Sequence, residues 1–185
     1  MSTEWKKRLI DQSDLQNLGE QLRAKGKKIS FTAGAWDMLH VGQARYLAQA
    51  RQQGDILVVG LSSNAVIKQL KGPNKPIFDE MIRAEMLTFL KCVDFVTIIP
   101  IPSCQPILAL LKPDVYVTVK EDWNDKYKES KEYKTVIKYG GKVEIVQRQS
   151  PFISTTTILE KVVGSHLGDV LKNFSKNQDK PLKEK

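Results

Sequence analysis

Apolar residues recur along this chain in two alternating rhythms. In 11-DQSDLQNLGEQLRAKG-26, Leu15, Leu18 and Leu22 stand three and four residues apart and Gly26 follows, which predicts a helix with a glycine stop. Next, 27-KKISFTAG-34 reads as a short strand running into a loop. The segment 41-VGQARYLAQARQQG-54 reads as a helix with Ala44, Leu47 and Ala48 on one face and Gly54 as its stop. The run 55-DILVVGLSS-63 lacks the alternation of a strand wetted on one side, so it predicts a strand covered on both faces, as in a parallel sheet. The rhythm then repeats: helix 77–92, strand 93–100, helix 104–113, strand 114–119, helix 129–141, strand 142–148 and a closing helix 154–164.

Strands alternating with helices of this length predict an α/β fold with a doubly wound parallel sheet. Residues 1–26 form an N-terminal helical extension, 27–164 the main domain, and 165–185 a polar, basic C-terminal tail. In open sheets of this kind, ligands gather outside the carboxyl ends of the strands, near the point where the winding reverses. The loops that matter are therefore 32–40, 62–76, 100–105, 120–130 and 148–155.

Composition narrows the function classes. With 185 residues, 41% hydrophobic and 27% charged, the chain suits one soluble domain with a real core. No apolar run approaches the ~18 residues of a membrane span. The N-terminus mixes acids with bases and does not read as a secretory signal. Cys92 and Cys104 are too few for a disulfide framework or a zinc site, so both are expected to be free thiols of a cytoplasmic protein. The net charge of +8 favours anionic partners. The bases are dispersed and lack a basic–aromatic surface motif, so phosphorylated small molecules are expected rather than nucleic acid.

Two loops carry most of the chemistry. In 32-TAGAWDMLHVGQ-43, Gly34 relieves steric limits after a strand, and His40 falls at or just before the next helix start. A helix start presents unpaired N–H groups and partial positive charge, which suits an anion. A histidine there donates to a phosphate and stabilises charge developing at phosphorus, while Gly42 lets a phosphate approach the backbone. In 148-RQSPFISTTTI-158, Ser154 is a natural N-cap and Ser154, Thr155 and Thr156 cluster hydroxyls at a second helix start; Arg148 is a bidentate candidate for the same space. Between them, 68-KQLKGPNKPI-77 places Lys68 and Lys71 before a turn after the second strand, and Arg83 is a further cationic candidate. Taken singly, each feature also fits an ordinary cap or a solvated face. Two anion-friendly helix starts at one sheet edge favour a phosphate ligand.

These residues together resemble the nucleotidyltransferase superfamily with a cytidylyltransferase-like, Rossmann-like fold. Its first motif, G-x-F-D-x-x-H-x-G-H, matches 34-GAWDMLHVGQ-43: Gly34, Asp37, His40 and Gly42 stand in register, Trp36 replaces Phe, and Gln43 replaces the final His. The resemblance runs from about residue 27 to 163. Segments 55–77, 93-VDFV-96 and 112-KPDVYV-117 look like bacterial heptose-1-phosphate adenylyltransferases. Both 121-EDWNDKY-127 and 153-ISTTTI-158 also fit glycerol-3-phosphate cytidylyltransferases.

The resemblance implies that a sugar or polyol phosphate attacks the α-phosphorus of ATP or CTP and releases pyrophosphate, normally with Mg²⁺. By the same resemblance His40, Lys68, Lys71 and Thr155 are catalytic. Thr32, Ala33, Gly34, Ala35, Trp36, Gly42, Gln43, Lys120, Asp122, Arg148, Ser154 and Thr156 bind the nucleotide. A homodimer is also implied. No metal ligand from the protein is expected. The chain departs from the pattern at Gln43, at Ala33 (usually Asn), at Asn64 (usually Asp) and at Lys120 (usually Gly). These departures open a second expectation, a nucleotide-binding relative of feeble activity with a regulatory or scaffolding role.

Overall fold

A computed structural model describes residues 3–119, 127–147 and 154–178. Five strands, β1 (Ile29–Gly34), β2 (Ile56–Ser62), β3 (Phe95–Ile99), β4 (Val115–Val119) and β5 (Lys142–Val146), form one sheet in the order β3-β2-β1-β4-β5. Every pairing is parallel. The helices are α1 (Leu15–Ala24), α2 (Val41–Arg51), α3 (Asn64–Lys71), α4 (Glu80–Thr88), α5 (Gln105–Leu111), α6 (Lys131–Lys138) and α7 (Thr155–Gln178). From β1 the chain winds outward to β2 and β3, then returns to β4 and β5 on the other side. The winding therefore reverses between β1 and β4, where the sequence placed the ligand edge.

Alternation along β2 explains why both faces are filled. Leu57, Val59 and Leu61 join a core with Leu47 and Ala50 of α2 and Ala84 and Leu87 of α4. Val58 points the other way, into a core with Leu15 and Leu22 of α1, Ile107, Leu108 and Leu111 of α5, and Val136 of α6. The continuous apolar run in β2 is thus the signature of a central strand.

The amino ends of the strands are locked by aspartates that directly precede them. Asp55 accepts from the Lys28 N–H (2.9 Å), Asp94 from the Leu57 N–H (2.8 Å) and Asp114 from the Ile29 N–H (2.7 Å). Asp94 also pairs with Arg51 Nε at 3.0 Å. Each carboxylate reaches the neighbouring strand, so register is fixed at the edge opposite the ligand loops. The N-terminal extension closes the β3 edge. The Ile10 N–H donates to the Val96 carbonyl (2.8 Å), and Gln12 Nε2 donates to the Ile98 carbonyl (2.9 Å).

Three local expectations change. Gly54 is not a positive-φ helix stop: a Cβ there would lie 2.8 Å from the Lys28 carbonyl oxygen and 2.9 Å from the Ser30 nitrogen, so it permits a close pass beside β1. Residues 64–71 form a helix, α3, that the sequence pattern did not single out; Ser63 caps it by accepting from the Val66 N–H at 3.2 Å. The closing helix does not end at Gly164 but runs on to Gln178, through the first part of the segment read as a tail. A glycine inside a helix costs only ~1 kcal/mol, which neighbouring helix formers outweigh.

Cys104 is buried, donates to the Tyr116 hydroxyl (3.6 Å), and has its thiol pKa pushed up to about 12 by burial. A raised acid pKa favours the protonated folded state, so this contribution is intact below the thiol's ordinary value near 9 and is lost as pH climbs toward 12. Above pH ~9 the parent is expected to lose on the order of 1 kcal/mol per pH unit more than Cys104→Ser, read by urea unfolding at pH 8, 9 and 10. Equal slopes for the two proteins would show that the thiol is already ionised in the fold.

Candidate functional site

The loop between β1 and α2 makes an abrupt turn through two left-handed residues, Trp36 (φ 51°) and Met38 (φ 48°). Such backbone is costly for a bulky residue, so something must hold it. The Trp36 indole stacks on Tyr46 with ring centroids 5.9 Å apart, and its Nε1 donates to the Gly60 carbonyl at 3.0 Å. Gly34 makes room: a Cβ there would sit 3.0 Å from the indole. Trp36 therefore turns its ring into the core, and what it offers the ligand side is backbone. Thr32 is likewise buried. Because the Tyr46 hydroxyl donates to the Val117 carbonyl (3.0 Å), the Thr32 hydroxyl donates to Tyr46 (2.7 Å), bridging β1 and β4 through α2.

Asp37 is the hub of the site. Its carboxylate is buried and accepts from the Ile77 N–H (2.7 Å) and the Phe78 N–H (3.0 Å), which docks the 72–78 loop onto the β1 loop. Its carbonyl oxygen accepts from the Thr155 hydroxyl at 3.0 Å. That last bond spans 118 residues and brings the start of α7 to the loop that starts α2. Two helix starts, each with orphan N–H groups, thus meet at one sheet edge.

His40 is the N-cap residue of α2, in extended conformation (φ −129°, ψ 168°), and is part-buried. Gln43 accepts from the His40 backbone N–H through Oε1 at 3.2 Å. With its oxygen fixed as acceptor, the Gln43 carboxamide keeps its NH₂ as a neutral donor. Gly42 is buried within the first turn of α2. At the other helix, Ser154 caps α7 by accepting from the Thr157 N–H (3.1 Å), while Thr157 Oγ1 accepts from the Ser154 N–H (2.9 Å). The Thr155 hydroxyl proton is spent on Asp37, and Thr156 is exposed. What Thr155 still offers an anion is its backbone N–H at the helix start.

Arg83 does not serve the phosphate edge as a free cation. It is 1% exposed and donates to the carbonyls of Phe78 (2.9 Å), Ser62 (2.9 Å) and Ala35, and to Asn64 Oδ1 (2.9 Å). Its guanidinium ties the loops after β1 and β2 to α4. Asn64 joins the same network: its Nδ2 donates to Asp79 (2.7 Å) and its backbone N–H to Glu80 (2.7 Å). An aspartate at 64, the residue the resemblance leads one to expect, would set two carboxylates face to face here. The Met81 N–H and the Asn64 amide hold the Asp79 carboxyl below its ordinary pKa. Lys68 and Lys71 are exposed, in the last turn of α3, on the arm that leads into the loop docked on Asp37. Ala33 and Ala35, which flank Gly34 at the end of β1, are part-buried.

Residues 31–161 match the cytidylyltransferase-like family model, most of the chain. The chain belongs to the cytidylyltransferase-like family. Among the curated members, bifunctional protein HldE of Geobacter metallireducens is 39% identical over 156 residues, covering 82% of this chain and 30% of that protein. HldE of Campylobacter jejuni subsp. doylei is 36% identical over 163 residues, covering 86% and 32%. The chain thus spans about 30% of the length of these curated relatives. Among solved structures, the lipopolysaccharide core biosynthesis protein of Thermoplasma volcanium superposes with a TM-score of 0.55 at 27% identity, covering 66% of this chain and 97% of that one.

The stretch that resembles the family's first motif lies on the β1–α2 junction, and the Ser154–Thr156 hydroxyl cluster lies at the start of α7. Sequence reasoning found both. It missed the structural part played by Asp37, although that aspartate belongs to the motif, because the partner amides at 77 and 78 lie forty residues away. Lys120, Asp122 and Arg148 lie outside the described residues. Among the described residues, no helix is long and apolar enough to cross a membrane.

Proposed function

We propose that this chain transfers a nucleoside monophosphate from ATP or CTP to a sugar phosphate or polyol phosphate. An oxygen of the acceptor phosphate bonds to the α-phosphorus, the bond from that phosphorus to the β-bridging oxygen breaks, and pyrophosphate leaves with the electron pair. The observation that carries this reading is the Thr155–Asp37 hydrogen bond, which sets the starts of α2 and α7 side by side at the ligand edge. The Thermoplasma relative, described as a lipopolysaccharide core biosynthesis protein, supports a sugar phosphate as acceptor, and the likeness of segment 55–77 leans toward ATP.

In this reading the protein supplies alignment and charge stabilisation rather than a nucleophile. His40 donates to the triphosphate as negative charge builds, and the Gln43 NH₂ adds a neutral donor. The backbone at Ser154, Thr155 and Thr156 receives phosphate, and the 32–36 backbone frames the nucleotide with Lys120 and Asp122. Lys68, Lys71 and Arg148 steer phosphates into place. Mg²⁺ carried on the triphosphate would neutralise phosphate charge when bound. Among the described residues no group of three or more His, Cys, Asp and Glu is placed to hold a metal. A homodimer, the assembly the resemblance implies, belongs to the same proposal and is read by molar mass in solution.

The test is pyrophosphate release with ATP and with CTP across a panel of sugar and polyol phosphates. Turnover with one nucleotide–acceptor pair is the expected result. Nucleotide binding without turnover for any pair would leave a regulatory or scaffolding relative instead, and no nucleotide binding would sink both.

A further inference from the structure

Most of the large apolar side chains exposed among the described residues lie on two surfaces. The first is the outer face of α4 and the turn before it. Met81, Ile82, Met86 and Phe89 fall within one arc of that helix, and Ile77 and Phe78 extend the arc toward the ligand edge. Phe89, at its far end, is 67% exposed. The second surface is α7. Every residue from Glu160 to Leu167 is exposed, so no neighbour lies along any side of those two turns. Yet Ile158, Leu159, Val162, Val163, Leu167 and Val170 keep the three-and-four spacing of a helix with one wet face and one covered face. A helix open on every side gains nothing from packing, so this stripe lacks its partner.

Within one chain the two surfaces do not cover each other, since both are open at once. They match nonetheless. Both begin at Asp37: the Thr155 hydroxyl donates to its carbonyl, and the Phe78 N–H donates to its carboxylate. At the helical rise per residue, the α4 stripe runs ~15 Å from Phe78 and the α7 stripe ~18 Å from Ile158. Glu85 lies inside the α4 arc, and His166 lies inside the α7 arc with Asp169 near its edge, so an acceptor on one face meets an imidazole N–H on the other. Exposed apolar patches on monomers rarely pass about 600 Å², whereas two contacts of α7 on α4 bury on the order of 1,500 Å², the size of a stable specific interface. We propose that two copies of this chain exchange α7, each laying its apolar stripe on the other's α4. The exchange is reciprocal and closes with two-fold symmetry, so it leaves neither stripe open. The homodimer itself comes from the preceding reading, but this interface does not depend on the transferase chemistry.

Sedimentation over ~1–100 μM compares the parent with two double variants at exposed positions, Ile82→Lys with Phe89→Lys on α4 and Val163→Glu with Leu167→Glu on α7. The parent is expected to be a dimer, and each variant alone to dissociate at least ~100-fold more readily, because two apolar anchors are lost from each contact. An equimolar mixture of the two variants is expected to pair again. In that mixed dimer one contact is unaltered and the other sets lysine against glutamate. Recovery also shows that both variants are folded. If either charged variant melts below the parent, the serine pair at the same positions replaces it. A dimer that survives in one variant but not the other shows like surfaces pairing and overturns the exchange. A mixture of folded variants that stays monomeric overturns it too. A dimer kept by both variants removes this interface and leaves the homodimer. A parent that is monomeric at ~100 μM removes both, and the two stripes then belong to a different protein or to a lipid surface. Pyrophosphate release by the monomeric variants reads the transferase proposal separately.

Discussion

Arg83→Met is expected to lower folding stability by about 3–5 kcal/mol and to abolish turnover, the cost of removing one partner from a buried charged network. The guanidinium satisfies three backbone carbonyls, of Ala35, Ser62 and Phe78, and the side-chain oxygen of Asn64. These acceptors come from the β1 loop, the end of β2, the start of α3 and the approach to α4, so one side chain closes the ligand edge of the sheet. Methionine fills similar volume and leaves all four acceptors without their donor. The effect on activity follows because the Ala35 and Phe78 carbonyls flank Asp37 and its loop contacts. Arg83→Lys keeps the charge, but a compact ammonium with three donors does not span the same four acceptors. It is expected to fall between, at roughly 1–3 kcal/mol. Urea unfolding followed by pyrophosphate release reads both variants. An Arg83→Met protein within 1 kcal/mol of the parent would mean that water replaces the guanidinium without penalty.

The same arginine marks the limit of what the sequence disclosed. Its neighbours in the chain present it as one more base near a phosphate loop, and only the convergence of four distant segments shows that its donors are spent. Asp37 is similar: the motif names it, but the amides of Ile77 and Phe78 that use it are contributed by a loop that adopts no regular structure. Periodicity, by contrast, exposed the alternation of strands and helices because each element buries its own face. The unbroken apolar run of β2 marked a central strand before any pairing was known. Gly54 and Gly164 misled for a common reason. Glycine ends helices often, but it also permits close backbone passes and is tolerated within a long helix, and spacing alone does not separate these uses. The two helix starts were legible one at a time from capping residues. Their meeting at Asp37 was not, because a contact across 118 residues leaves no local trace.

His40→Asn is expected to cut turnover about 10²- to 10³-fold under the proposed reaction, the usual cost of losing one donor aimed at developing charge. Asparagine is a good N-cap, so α2 is expected to start where it does now and melting to change little; this separates loss of the imidazole from loss of the helix start. Gln43→His tests the companion position. In the parent, the Gln43 oxygen caps the His40 N–H at 3.2 Å, so its amide gives helix order and a neutral donor but no charge. A histidine there gives up part of that cap, at a cost of about 0.5–1 kcal/mol in stability, and adds a cation whenever it is protonated. Charge-assisted bonds are about twice as strong as neutral ones, so turnover is expected to rise roughly 5- to 150-fold, a gain of about 1–3 kcal/mol at the transition state. The sign with pH follows from the imidazole: the gain is largest below its ordinary pKa of about 6.5 and fades above it. A Gln43→His protein with the parent's rate at every pH would place residue 43 off the reacting phosphates. Its glutamine would then be a helix cap and nothing more.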